Sequence, residues 1–136
     1  MKLSVRSRYG LRLMHRLAQN YGDGPVRLEM IAQEEEISHK YLSQLVLPLK
    51  EHGLITSVRG AKGGYMLSDA PENIQVLTVV EVLEGSVKPV ECKDCKKLKE
   101  GCVASEVWEM LGNKIYETLS SLTLEDMLKM KGKISA

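Results

Sequence analysis

The chain has no phenylalanine, one tryptophan, five tyrosines and only four prolines in 136 residues. An interior must therefore be assembled from Leu, Val, Ile and Met, and 43% hydrophobic residues supply enough of them to exclude a disordered chain. No apolar run approaches the roughly 20 residues that cross a bilayer. The start, Met1-Lys2-Leu3-Ser4-Val5-Arg6, lacks the apolar stretch of a signal peptide, so a cytoplasmic protein without membrane association is expected. Internal repeats and low-complexity tracts are absent too. Cysteine is missing from the first 91 residues and from everything after residue 102. Three clustered thiols, an odd number, argue against a disulfide framework and toward metal or thiol chemistry.

An enzyme is disfavoured by further absences. His15, His39 and His52 fall on expected helices with no plausible nucleophile nearby, and each is expected to face solvent. Gly60-Ala61-Lys62-Gly63-Gly64 lacks the spacing of a phosphate-binding P-loop.

Net charge is only +1, but it is unevenly spread. Residues 1–65 hold ten Lys/Arg against six Asp/Glu, and residues 66–136 hold nine against twelve. The first half, at +4, is the one suited to a polyanion, although charge alone does not establish DNA binding.

Periodicity predicts a first helix with Leu11, Met14, Leu17, Ala18 and Tyr21 inward, ended by Gly22-Asp23-Gly24-Pro25. A second carries Leu28, Ile31 and Ala32. It should be short, because Glu34-Glu35-Glu36 places negative charge at its C-terminus. Ser38 is a good N-cap for a third helix with Leu42, Leu45, Val46 and Leu49 inward and His39, Lys40, Tyr41, Ser43 and Gln44 outward. Pro48 predicts a kink or early loosening there. Leu54–Val58 and Tyr65–Leu67 read as a hairpin around the basic, glycine-rich tip Arg59–Gly64.

After the linker Ser68–Pro71, Val76, Val79, Val80 and Leu83 suggest a helix ending at Gly85, with strand still open because valine favours it. Residues 86–101 read as loop. Cys102 precedes a long amphipathic helix bearing Val103, Val107, Met110, Leu111, Leu119 and Leu122, and Thr123 restarts a short helix as a capping box.

The fold expected is mainly α with a small β-hairpin wing: a winged helix-turn-helix over 1–70, a connecting helix and cysteine loop over 71–101, and a dimerisation helix plus C-terminal helix over 102–136. In that arrangement the third helix enters the major groove. Tyr41, Ser43 and Gln44 suit base reading, and His39 and Lys40 suit phosphates. The wing tip, with Arg59, Gly60, Lys62 and Gly63, suits the minor groove. The blander reading is a solvated helix face and an ordinary hairpin turn, or a winged helix that docks on a protein.

The stretch from Tyr9-Gly10-Leu11 to Leu67, above all SHKYLSQLVLPLKEHGLITSVRGAKGGYML, resembles the Rrf-type regulators, a bacterial family that includes IscR, NsrR and CymR. Leu83-Glu84-Gly85 and Leu122-Thr123-Leu124 extend the likeness over nearly the whole chain. The resemblance implies a homodimeric transcriptional repressor bound to a palindromic operator in double-stranded DNA. Ser38 to Gln44 would read the major groove, and the tip around Arg59 the minor groove. Ser43 stands where IscR carries an acidic base-reading residue, which implies a different operator preference.

Cys92-x2-Cys95-x6-Cys102 offers three thiolates, enough with one further ligand for an iron–sulfur cluster or tetrahedral zinc. Lys93, Lys96, Lys97 and Lys99 favour the thiolate form. IscR and NsrR hold a cluster with three cysteines in this loop, so the resemblance implies the same of Cys92, Cys95 and Cys102, as 2Fe-2S or 4Fe-4S. The spacing here is less even than theirs. Ser105 replaces the histidine ligand of IscR, and Arg8 replaces the aspartate of NsrR; Ser105, Glu106, Asp94, a small molecule or water stay open as the fourth ligand. Gly24-Pro25, Tyr41-Leu42-x-Gln44-Leu45-Val46-x-Pro48-Leu49 and Val82-Leu83-Glu84-Gly85 resemble CymR more than IscR. CymR lacks the cysteine trio and answers to a partner enzyme, so a zinc clasp, a thiol switch and a partner-controlled repressor remain as alternatives.

Overall fold

The computed structural model describes residues 3–92, 96 and 100–133. Helix α1, Val5–Gln19, buries Leu13, Met14, Leu17 and Ala18 and is the element against which the others are arranged. Leu13 takes an inward place that the expected stripe had omitted. Tyr21 does not belong to that stripe. The helix ends at Gln19, so the 3.6-residue period no longer governs residue 21, and its side chain is 48% exposed.

Helix α2, Leu28–Glu35, is short as expected and closes with Glu36 in the left-handed region at φ 54°. The charge that shortens it is also partly answered. Arg16 Nε lies 2.6 Å from Glu34 Oε2 and holds that carboxyl below its usual range by hydrogen bonding. Arg12 pairs with the Glu35 carboxylate at 3.7 Å and donates to the Glu35 carbonyl, one of the orphan acceptors of the helix end.

Helix α3, His39–Glu51, begins where Ser38 Oγ accepts from the Tyr41 amide at 3.0 Å. Leu42, Leu45, Val46 and Leu49 are all buried. The loosening expected at Pro48 does not occur: the helix continues to Glu51. Proline removes only the bond to the carbonyl four residues back, which belongs to exposed Gln44. Leu49, fully buried, anchors the chain immediately beyond.

Strands β1, Ile55–Val58, and β2, Gly64–Leu67, pair antiparallel with Ile55 opposite Leu67 and Val58 opposite Gly64. Ile55 and Leu67 seal the hairpin onto the core. After one 3-10 turn at Pro71–Asn73, helix α4 spans Val76–Glu84 and buries Val76, Leu77, Val79, Val80 and Leu83. The helical alternative prevails over strand because α4 is packed between α1 and the next helix, which occupies the sides of an apolar cylinder.

Helix α5, Val103–Ser121, is the longest element and has no buried residue. Helix α6, Leu124–Lys129, starts at a capping box in which Thr123 Oγ1 accepts from the Asp126 amide and Asp126 Oδ2 accepts from the Thr123 amide. These bonds hold the Asp126 carboxyl below its usual range. Leu124 is fully buried in the same cluster as Leu13, Leu42 and Ile55, so the C-terminal helix returns to the N-terminal core. The return is tied by Val76 N donating to Leu122 O at 2.8 Å and Leu124 N donating to Ile74 O at 3.0 Å. Among the described residues no helix is long and apolar enough to cross a membrane.

Candidate nucleic-acid interface and cysteine loop

The N-terminal half of α3 and the wing stand on either side of a groove of about 580 Å³. Its walls include His39 and Ser43 from α3, Arg59, Gly60 and Gly63 from the wing, and Arg27 from the segment before α2. His39, Lys40 and Gln44 are exposed along α3, and Arg59, Gly60 and Lys62 are exposed on the wing. The structure thus brings His39, Ser43, Arg59, Gly60 and Gly63 of the sequence-predicted set to one groove, whereas Tyr41 and Gln44 line a separate cleft with Glu84 and Gly85.

Three of the predicted residues have structural work to do. Ser38 Oγ is engaged by the Tyr41 amide, so its first role is to start α3. Tyr41 is half-buried, with its ring edge-to-face against Tyr9 at 5.9 Å between centroids. Gly63 is buried: a Cβ there would come within 2.2 Å of the Val58 carbonyl oxygen. It is therefore demanded by closure of the hairpin upon itself. Ser43 Oγ donates to the His39 carbonyl at 2.9 Å, which leaves its lone pairs toward the groove.

The wing rests on more than its two strands. Val26 N donates to Tyr65 O at 2.8 Å, and Tyr65 N donates to Val26 O at 2.8 Å. Gly64, at φ +147°, passes so close that a Cβ would stand 2.3 Å from the Val26 carbonyl oxygen. Arg27, adjacent to this bridge, donates from Nη2 to the Ala61 carbonyl at the wing tip. Sequence reading missed Arg27, because its nearest partner is 34 residues away and only folding brings them together.

Around the histidines, His39 Nε2 lies 3.5 Å from Glu29 Oε1 and is exposed, as is His52. His15 departs from the expected solvent-facing position and is half-buried on α1.

At the opposite end of α4, the loop that follows Gly85 leads to the cysteines. Its root is tied to α1. Ser4 donates from its amide to Glu84 Oε1 at 2.6 Å and from its hydroxyl to the same oxygen. The hydroxyl is the main reason that the Glu84 carboxyl sits below its usual range. Cys92 and Cys102 are free thiols, both half-buried, and Cys102 immediately precedes α5. Cys92 lines a cavity of about 360 Å³ with Ser105, Trp108 and Glu109 of α5. Ser105 Oγ donates to the Cys102 carbonyl at 2.7 Å. Cys95, Lys93, Asp94, Lys97 and Lys99 lie outside the described residues. Among the described residues no three His, Cys, Asp or Glu side chains converge as a metal site. Cys92 at this cavity and Cys102 at the start of α5 are soft thiol donors whose chemistry fits a thiophilic centre, with further ligands required.

Comparison with known proteins places this architecture. The family model described as "Rrf2: Iron-dependent Transcriptional regulator" matches residues 3–130. The chain is 42% identical over 127 residues to the HTH-type transcriptional regulator CymR of Bacillus subtilis, covering 93% of this chain and 89% of that one. The solved structure of T. potens IscR superimposes with a TM-score of 0.82 at 39% identity, covering 100% of this chain and 93% of the other. Staphylococcus aureus CymR in its oxidized form gives a TM-score of 0.81 at 36% identity, covering 98% and 100%. These relatives are transcriptional regulators rather than enzymes. With a matching family model over almost its full length and a winged-helix fold shared with both CymR and IscR, the chain belongs to the Rrf2 family of transcriptional regulators.

Proposed function

We propose that this regulator is a homodimeric repressor that reads a palindromic operator with α3 and the wing, and whose affinity is set by the state of the cysteine loop. The observation that carries the reading is the groove in which His39 and Ser43 of α3 face Arg59 of the wing, with Lys40, Gln44 and Lys62 exposed on the same two elements, in a chain that also carries free thiols at Cys92 and Cys102. Gln44 is the base reader, because its amide can pair with an adenine edge; Ser43 adds a second, weaker contact. His39 and Lys40 grip phosphates, and Arg59 and Lys62 enter the minor groove beside them. Helix α5 supplies the dimer contact. Its Val103 and Met110 are 77% and 68% exposed, a cost that a second copy of the helix removes.

Cys92, Cys95 and Cys102 are the residues to hold an iron–sulfur cluster, which would supply a centre sensitive to redox state. Ser105 is a poor fourth ligand while its hydroxyl serves the Cys102 carbonyl, and Glu109 is the carboxylate that shares the cavity with Cys92. A second reading is supported by the likeness to CymR: a cluster-free regulator in which the thiols oxidise or hold zinc, or which answers to a partner enzyme.

The test is anaerobic purification with iron, sulfide and zinc analysis. It is paired with anisotropy on a duplex selected from a random pool by the protein itself. Iron with equal sulfide, and an affinity that changes when the cluster is removed, supports the cluster regulator. Zinc or bare thiols with peroxide-sensitive binding supports the second reading. Failure to select any duplex sinks both.

A further inference from the structure

We infer that Arg27 is a positioning residue for the wing, holding its tip at the angle at which it and α3 can straddle one DNA strand. The inference rests on the DNA-binding reading above and extends it to a residue outside the two reading elements.

Three features of the structure converge on it. The reciprocal Val26–Tyr65 bonds pin the segment before α2 to the edge of the hairpin as an isolated antiparallel bridge, so residue 27 emerges beside the wing. From there the Arg27 guanidinium crosses the hairpin to the Ala61 carbonyl at its tip. Among the described residues the turn itself is closed by Gly63 N donating to Gly60 O at 3.0 Å, and Arg59, Gly60, Ala61 and Lys62 are all exposed. A four-residue exposed tip with so few internal bonds samples many orientations unless something outside it holds on.

The third feature is where the link lies. Arg27 lines the groove between His39 and Ser43 of α3 and Arg59 of the wing. A protein reading a major groove with one element and the neighbouring minor groove with another must let a phosphodiester strand pass between them. A guanidinium has five N–H donors in a rigid fork, and one of them is spent on Ala61. The wing is thus held by a group that, with Arg59, outweighs the single Glu29 carboxylate in the lining and leaves the passage net cationic. A neutral link would fix the wing without favouring the strand, and an acidic one would repel it. Wing orientation in turn decides whether Arg59 reaches the minor groove, so Arg27 acts on specificity through Arg59.

The experiment uses the full chain, comparing wild type with Arg27→Ala and Arg27→Gln. The DNA probe is a duplex selected from a random pool by the wild-type protein. Two quantities are read: amide hydrogen exchange at Gly63 in the free protein, and affinity for the selected duplex and for single base-pair variants. In Arg27→Ala, Gly63 exchange should rise and affinity should fall about tenfold, the worth of one charge-assisted hydrogen bond. Base preference should fade at the flanking positions under the wing and persist at those under α3. Arg27→Gln, which keeps an amide donor, should restore part of the Gly63 protection; it carries the same measurements if the alanine variant fails to fold.

Unchanged Gly63 exchange overturns the proposal, whatever happens to affinity. A uniform loss across all duplexes also overturns it, since that is the mark of a bare phosphate contact. If the wild type selects no duplex, sequence-specific reading itself fails. Gly63 exchange then still decides whether Arg27 holds the wing.

Discussion

Helices α4 and α5 both carry apolar stripes, yet α4 buries five of its nine residues and α5 buries none of its nineteen. The difference lies in what surrounds them. Helix α4 lies between α1 and α5, so its valines and leucines are covered within one chain. Helix α5 packs on α4 and borders Pro89 and Cys92 of the preceding loop through Trp108, Glu109 and Gly112, yet none of its residues is buried. The head, α1 to α4 with the wing and the returning α6, completes its core within one chain; the arm, α5, is half of an interface in the dimer proposed above. Stability should therefore be a property of the head, and assembly a property of the arm.

The sharpest way to break this comparison is a truncation in the head. Leu42 is fully buried in the main cluster, and Leu42→Ala should lower unfolding free energy by about 2–5 kcal/mol in urea titration. A cost below about 1 kcal/mol would mean that the head does not carry the stability of the fold. The matching change in the arm is Met110→Glu. It should leave helix content by circular dichroism unchanged but convert the protein to monomer in sedimentation equilibrium, and weaken operator binding at least tenfold by removing the second half-site. A dimer that persists would move the interface off this face of α5.

A smaller effect probes the joint between the two regions. The carboxyls of Glu84 and Asp126 are held below their usual range, by the Ser4 hydroxyl and by the Thr123 amide respectively. Each binds its proton less tightly folded than unfolded. Their stabilising contribution is therefore complete above the ordinary carboxylate pKa and is lost as pH falls through the lowered folded value. Thermal melting followed from about pH 7 to about pH 3 should show a declining midpoint on the acid side. Glu84→Gln should make that decline shallower. A midpoint that holds or rises on acidification would rule the Ser4–Glu84 tie out as a stabilising contact.

Much of the head was legible because local signals agreed with one another. Ser38 before an inward stripe announced α3, a glycine-rich tip between β-prone runs announced the wing, and Thr123 announced α6. The errors arose where a local rule met a tertiary fact. Of the kink or early loosening expected at Pro48, the loosening does not occur, because the carbonyl it orphans is on the exposed side and Leu49 is held in the core. Tyr21 looked periodic but lies past the point at which the helix stops. Tyr41, expected as a base reader, carries in addition a half-buried packing contact with Tyr9, a pairing across 32 positions that no window on the sequence contains.

The candidate site divides in the same way. Its residue types on α3 and the wing were readable, since a helix face and a hairpin tip follow from period and turn chemistry. The spacing of the three cysteines is a fact of the sequence, and of them the structure describes Cys92 and Cys102 as free thiols. Arg27 was not readable, nor was the company that Cys92 keeps with Glu109, because each depends on which segments fold side by side.

What the sequence by itself determined is thus the set of elements, their order and the chemistry each can offer: hydrophobic period, caps and turn residues act over a few positions and need no partner to be expressed. Only the tertiary structure decided that α6 returns to complete the first core, that α5 is left without a buried residue, and that Arg27 reaches the wing. Those outcomes depend on packing between distant segments, where shape and the burial of apolar surface, rather than local propensity, choose the neighbour.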